Sequence, residues 1–187
     1  MSAVGIYGGT FDPIHLGHLH VITQVLERHI VDRLLVIPAG QPLLRADSPL
    51  ATGAQRRAMC QLAIDSLSSD IRSRVEINPI EILREGPSYA IDTVDAVIAS
   101  FPDSQIVLFI GADAYLHIDK WHRVEELKKK CRIVVIQRPG YPAEGLDISA
   151  LDVSATQIRG EQSNQIPESV AHYIKENGLY ASEKQDN

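Results

Sequence analysis

Two kinds of hydrophobic segment alternate along the chain. Runs with almost every position apolar occur at residues 3–7, 33–38 (RLLVIP), 105–110 (QIVLFI) and 132–137 (RIVVIQ). Such runs predict strands buried on both faces. A less regular stretch at 74–80, carrying Val75, Ile77 and Ile80, predicts one strand more. Between these runs the apolar spacing changes to three and four. Leu19, Val21, Ile22, Val25, Leu26 and Ile30 predict a helix over 18–29. Met59, Leu62, Ala63 and Leu67 predict another over 54–67, opened by a capping box of Thr52 and Gln55. Ile91, Val94, Val97 and Ile98 predict a third over 88–100. Shorter helices are expected at 124–130 and 154–159, and a last one at 167–178 with Pro167 at its start and Gly178 at its end.

Strand and helix in alternation predict an α/β fold: an open, doubly wound, mainly parallel sheet with helices on both faces. Segment 39–53 is rich in Pro, Gly and Ser, has no period, and is expected to be a loop. No repeat or linker divides the chain. Residues 1–187 are therefore expected to form one domain, with the C-terminal helical part at about 154–180 packed on it. Ligands of such sheets bind beyond the carboxyl ends of the strands, which draws attention to the residues after Tyr7, Pro38, Ile110 and Gln137.

Composition narrows the class of partner. Of 187 residues, 44% are hydrophobic and 22% charged, enough apolar side chain for a real core. Lys and Arg number 18 against 24 Asp and Glu, a net charge of −6. That balance argues against a nucleic-acid coat, while leaving room for a local basic pocket that takes a phosphorylated small molecule. Cys60 and Cys131 have no CxxC spacing and read as buried free thiols of a reducing compartment. No run approaches the ~18 apolar residues that span a bilayer, and no basic leader opens the chain, so a cytoplasmic protein without a membrane partner is expected. No oligomeric state is assigned, because the pattern does not separate an exposed apolar stripe from core.

The first strand-to-helix junction, GIYGGTFDPIHLGHLH, concentrates the chemistry. Gly8 and Gly9 let backbone approach a ligand closely, and a helix entered at Gly17 and His18 aims free N–H groups at the same crevice. Together they suit phosphate. His15 and His18 flank Leu16 and Gly17, so both imidazoles reach one phosphate group and can stabilise charge developing on a phosphoryl oxygen. The structural alternative is that His15 caps the helix and His18 is a surface residue. No third ligand with supporting spacing makes a zinc site. Neither a Walker lysine nor GxGxxG is present.

Here the sequence resembles a known family. Gly8-Gly9-Thr10-Phe11-Asp12-Pro13 followed by His15-Leu16-Gly17-His18 is similar to the HxGH signature of the nucleotidylyltransferase superfamily, and the longer string resembles the bacterial nicotinate-nucleotide adenylyltransferases. Further segments match in order: Ile37-Pro38-Ala39-Gly40-Gln41-Pro42, Pro87-Ser88-Tyr89-Ala90-Ile91-Asp92-Thr93, Gly111-Ala112-Asp113 with Trp121, Arg138-Pro139-Gly140, and Ser154-Ala155-Thr156-Gln157-Ile158-Arg159.

The resemblance implies a Rossmann-like fold and adenylyl transfer: the phosphate of nicotinate mononucleotide attacks the α-phosphorus of ATP, giving deamido-NAD and pyrophosphate. It implies catalytic roles for His15, His18 and Arg159. It places ATP against Gly8, Gly9, Thr10, Phe11, Gly111, Asp113, Arg138, Ser154 and Thr156, with Gly111 and Asp113 on the ribose, and Ser154, Thr156 and Arg159 on the leaving phosphates. The acceptor would meet Asp12, Arg45, Tyr89, Ala90, Thr93 and Trp121, the last stacking on its ring. No protein metal site is implied, since Mg²⁺ travels with ATP. Such transfer needs positioning and charge stabilisation rather than a protein nucleophile.

Each position also has a purely structural role open to it. Asp113 and Ser154 can cap helices, Trp121 can anchor packing, and Arg159 can be a solvated helix residue. Lys128, Lys129 and Lys130 suit a helix C-terminus, and His117, His122 and His172 belong to no constellation. The chain departs from the family pattern at three places. Leu43-Leu44-Arg45 stands where the loop usually ends in His-Lys, Ala90 replaces a threonine, and Ala155 replaces a serine. The changes near Ala90 and Arg45 bear on the acceptor, so nicotinamide mononucleotide or another phosphomonoester is the competing acceptor. A non-catalytic nucleotide sensor is the competing class. The phosphopantetheine branch typically has Thr where His15 stands, and the RTxGxST segment of cytidylyltransferases is missing.

Overall fold

A computed structural model describes residues 2–41, 48–141 and 144–181. Its sheet has five parallel strands in the order β3-β2-β1-β4-β5. They are β1 (Ala3–Gly9), β2 (Arg33–Pro38), β3 (Val75–Ile77), β4 (Gln105–Gly111) and β5 (Arg132–Ile136). The apolar runs hide a period of two, which sorts their side chains onto two faces. Tyr7, Leu34, Val36, Val107 and Phe109 enter one core cluster; Val4, Ile6, Leu35, Ile37, Ile106, Leu108 and Ile110 enter the other. Gly5 is required by close packing on the first face, where a Cβ would lie 2.6 Å from Leu34 Cδ1 and 2.8 Å from Phe109 Cε2.

The first cluster is covered by α1 (Leu16–Glu27) and α2 (Gly53–Asp65), and α3 (Ser69–Arg72) adds Ile71 to it. The second is covered by α5 (Ala90–Ser100) and α7 (Val124–Lys130), with Ile80 of α4 (Ile80–Leu83) packed against its edge. A helical turn, α6 (Ala112–Tyr115), follows β4; α8 (Ala155–Arg159) and α9 (Glu168–Glu176) come last. Val170 is fully buried in the first cluster, and Ser169 Oγ donates to Leu62 O of α2 at 3.2 Å. The Thr52 and Gln55 capping box forms, with Gln55 N donating to Thr52 Oγ1 at 3.2 Å.

Segment 74–80 departs from expectation. Only Val75–Ile77 pair, and the chain turns into α4 at Ile80. Asn78 explains the stop: its Oδ1 accepts from Ile80 N at 3.1 Å, an Asx turn that offers the backbone a partner outside the ladder. Both cysteines are buried and unpaired. No helix among the described residues is long and apolar enough to cross a membrane.

Candidate active site

β1 lies at the centre of the sheet, and the chain reverses direction across the strand order between β1 and β4. That switch point opens a crevice at their carboxyl ends. Two cavities meet there. One of about 470 Å³ is lined by Thr10, Phe11, Asp12, His15, His18, Asp113, His117, Arg138, Ser154 and Ala155 among others. The other, of about 270 Å³ and mostly apolar, runs between Glu81, Ser88, Tyr89, Ala90, Thr93, Lys120, Trp121 and His122. Gly8, Gly9, Gly111 and Ala114 belong to both walls.

The first cavity is built on a sharply folded loop. Phe11 adopts a left-handed backbone with φ 50°, and its ring is buried. That ring lies directly beneath Gly9, where a Cβ would come within 2.8 Å of it. The Asp12–Pro13 peptide is cis. Arg56 of α2, itself buried, donates to Thr10 O at 2.8 Å and Ala51 O at 3.2 Å. The Asp12 carboxylate accepts from Leu50 N at 2.9 Å, Ala51 N at 3.1 Å and the Tyr180 hydroxyl at 2.6 Å. Asp12 therefore sits away from the second cavity, and its carboxylate ties the loop to distant chain.

His15 caps α1 and is 2% exposed. Its ring stacks on that of His18 with centroids 3.7 Å apart, and Phe11 meets His18 edge-on at 4.9 Å. The His15 backbone N–H donates to His18 Nδ1 at 3.1 Å. With Nδ1 accepting, a neutral His18 ring carries its proton on Nε2. His15 Nδ1 is buried without a hydrogen-bond partner among the described residues. Burial lowers the pKa of both rings, and the Arg138 guanidinium lowers it further: His15 to about 4, and His18, also repelled by His15, well below the usual range. Both rings are neutral near pH 7 in the free protein. The helix N-terminus offers fewer donors than the sequence suggests, because Leu16 N is bonded to Gln165 O at 3.0 Å and His18 N to His15 O at 2.9 Å.

Across the crevice Arg138 donates to Asp113 Oδ2 at 3.1 Å. Gly111 keeps this pair in place, since a Cβ would meet Asp113 Oδ1 at 2.3 Å. Ser154 caps α8: its Oγ accepts from Gln157 N at 3.3 Å, and Gln157 Oε1 accepts from Ser154 N at 2.8 Å. Arg159 donates to Asp12 O at 2.5 Å and to Thr156 Oγ1 at 3.3 Å. Neither Thr156 nor Arg159 is among the residues lining the two cavities.

Tyr89, Ala90, Thr93 and Trp121 come together in the second cavity. Arg45 lies outside the described residues. Tyr89, the N-cap of α5, offers no side-chain cap, and its carbonyl accepts from Asp92 N at 3.2 Å and Thr93 N at 3.3 Å, which leaves the N–H groups of Ala90 and Ile91 as the uncapped donors at that end. Trp121 Nε1 is buried without a partner among the described residues. His122, given no role from sequence, lies against Tyr89 with ring centroids 4.3 Å apart, and His117 lines the first cavity. Glu81 and Arg56 were also missed. For Arg56 a signal existed: it occupies an apolar stripe with Met59, Cys60 and Ala63. For Glu81 there was none, because its segment reads as the end of a strand. Among the described residues no cluster of three or more His, Cys, Asp or Glu could hold a metal ion.

Known proteins share this architecture and much of this sequence. Residues 6–162 match the cytidylyltransferase-like family model. The chain is 34% identical to the nicotinate-nucleotide adenylyltransferase of Bacillus subtilis over 194 residues, covering 97% of this chain and all of that protein. In structure it is similar to the Plasmodium falciparum nicotinic acid mononucleotide adenylyltransferase complexed with NaAD, with a TM-score of 0.83, 20% identity, and 96% and 98% of the two chains covered. The same enzyme complexed with APC gives a TM-score of 0.78 at 18% identity, with 96% and 98% covered.

Proposed function

The chain belongs to the nicotinate-nucleotide adenylyltransferases of the cytidylyltransferase-like family, and from that premise we propose that it transfers the adenylyl group of ATP to nicotinate mononucleotide, forming deamido-NAD and pyrophosphate in NAD biosynthesis. The observation that carries the reading is the pair of cavities joined across Gly8, Gly9 and Gly111, with the two histidines on one side of the junction. An acceptor phosphate oxygen forms the new bond to the α-phosphorus while the bond to the β-phosphate oxygen breaks. Among the described residues only glycines and Ala114 are common to both walls, so none of these puts a bulky side chain between the two substrates.

ATP takes the first cavity. Its triphosphate meets His18 Nε2–H and the His15 ring, and polyphosphate charge favours protonating rings that are neutral in the free protein. Their hydrogen bonds strengthen as charge moves onto the bridging oxygen, which is the differential stabilisation a loose phosphoryl transition state needs. Arg138 adds fixed positive charge, and Asp113 with Gly111 takes the ribose. Arg159, held through Asp12 O, exchanges its Thr156 contact for pyrophosphate oxygens, aided by Ser154. Mg²⁺ enters as part of the substrate, MgATP, and neutralises the β- and γ-oxygens.

The acceptor's pyridine ring takes the second cavity, against Trp121 and Tyr89, with its carboxylate toward the N-terminus of α5. Backbone N–H groups there do not depend on the residue at position 90, which makes Ala90 compatible with an acid acceptor. We read residues 1–187 as one domain with its C-terminal helices packed on it, and the unpaired buried thiols fit a cytoplasmic setting. Two separate incubations with nicotinate mononucleotide test the reaction: α-labelled ATP should deliver its label to the dinucleotide, and γ-labelled ATP to pyrophosphate. Label from the γ-position appearing in the mononucleotide would mean phosphoryl transfer and contradict it.

A further inference from the structure

Among the described residues lining the second cavity, Glu81 is the one acidic group. It enters from α4, while the opposite walls are aromatic and aliphatic: Tyr89, Trp121, Leu108 and Ile110. The Thr93 hydroxyl donates to Glu81 Oε1 at 2.7 Å. Beside this pair Ser88 Oγ accepts from Gly40 N and Gln41 N, both at 3.1 Å, and Ser88 and Gly40 lie near enough to Glu81 to favour its ionised form. Glu81 therefore joins the loop after β2 to the start of α5, on the side of the cavity where an acceptor ring would carry its substituent. The charged and titratable groups facing it are Arg84, just after its own helix, and, from the rest of the cavity, Lys120, His122 and the Tyr89 phenol.

A second carboxylate brought into such an enclosure is repelled by an ionised Glu81, whereas a neutral carboxyl donates a charge-assisted hydrogen bond to it. An amide substituent behaves oppositely, since its N–H groups seek an ionised acceptor. We propose that Glu81 sets the choice between acid and amide acceptors: as a neutral carboxyl it holds the acid, and as a carboxylate it turns the cavity toward the amide. The inference rests on the functional reading above. Burial raises the Glu81 carboxyl above its ordinary range, outweighing the hydroxyls of Thr93 and Ser88 and the charge of Arg84. The neutral form therefore persists to higher pH than for an exposed glutamate. Trp121 Nε1–H, without a partner among the described residues, leaves a further donor for an acidic substituent.

The test is the ratio of kcat/KM for nicotinate over nicotinamide mononucleotide, with MgATP, from about pH 4.5 to about pH 9. The two acceptors share ribose and phosphate, so phosphate ionisation and histidine titration at the ATP end cancel in the ratio. In the unaltered protein the ratio should fall by about tenfold or more as pH rises, and in Glu81→Gln it should stay within about threefold. Thr93→Val, which removes the donor to Glu81, should move the fall to higher pH, and this serves even where the Gln variant does not fold. A flat ratio in the unaltered protein, a fall preserved in Glu81→Gln, or a fall unmoved in Thr93→Val would each overturn the proposal while the reaction itself stands. Turnover of neither acceptor would overturn the functional reading and this inference with it.

Discussion

The two ring nitrogens of His18 do different work. Nδ1 accepts from the His15 backbone and fixes the ring, while Nε2–H is left for a ligand. His18→Ala removes the donor and leaves the Phe11 and Gly9 floor intact. Turnover should fall by about 10²–10³-fold, with the Kd for ATP within a few-fold of the original. Stopped turnover assays and calorimetric titration check the two quantities separately, and unchanged turnover would remove His18 from the chemistry. His15 makes a second prediction. Its folded pKa of about 4 lies below the unfolded value of 6.5, so the unfolded chain binds the proton more readily. Stability is then whole above the unfolded pKa and is lost as pH falls from about 6.5 toward 4, by roughly 3 kcal/mol when titration is complete. Denaturant melts across that range should show less of this loss in His15→Asn than in the unaltered protein.

At the level of elements, Gly17 marks where α1 meets the segment before α8. A Cβ there would lie 2.7 Å from Val153 Cγ1 and 3.1 Å from the His15 ring. Gly17→Ala gains about 1 kcal/mol of helix propensity and loses a similar amount to overpacking, so Tm should move little. Displacing the His15 ring is costlier to the chemistry, and kcat should fall by about tenfold to a hundredfold. Parallel melts and rate measurements decide it; a large drop in Tm with kcat unchanged would place the strain elsewhere. The major helices and the long strands were legible because their apolar spacing is dense, as in QIVLFI at β4 and the stripe of α5. The place of the first loop at a crevice beyond the strand ends was legible from Gly8, Gly9, His15 and His18, which line the first cavity. The short β3 and α4 were not, because a side-chain turn at Asn78 decides the local structure and leaves no periodic trace. Roles that depend on meeting across the fold, such as Glu81 beside Thr93, His122 on Tyr89 and Asp12 on Tyr180, have no signature in local spacing.

Across the whole molecule, the carboxyl-terminal end of the described chain returns to the first loop. The Tyr180 hydroxyl donates to Asp12, whose carbonyl accepts from Arg159, so three distant parts of the sequence meet behind the histidines. Burial and the neighbouring Asp12 carboxylate keep the Tyr180 phenol protonated and donating. Tyr180→Phe leaves an Asp12 oxygen short of a donor and should cost about 1–2 kcal/mol, a drop in Tm of about 2–6 °C. A thermal melt reads this directly, and an unchanged Tm would mean that water replaces the phenol without loss.

The central claim concerns the pair of joined cavities, and pyrophosphate release from MgATP tests it most directly when nicotinate mononucleotide, nicotinamide mononucleotide and no acceptor are compared. The account predicts release that depends on an acceptor and is much faster with the acid near neutral pH. Faster release with the amide would contradict the assigned acceptor, and no release with either, despite ATP binding, would contradict the enzyme itself.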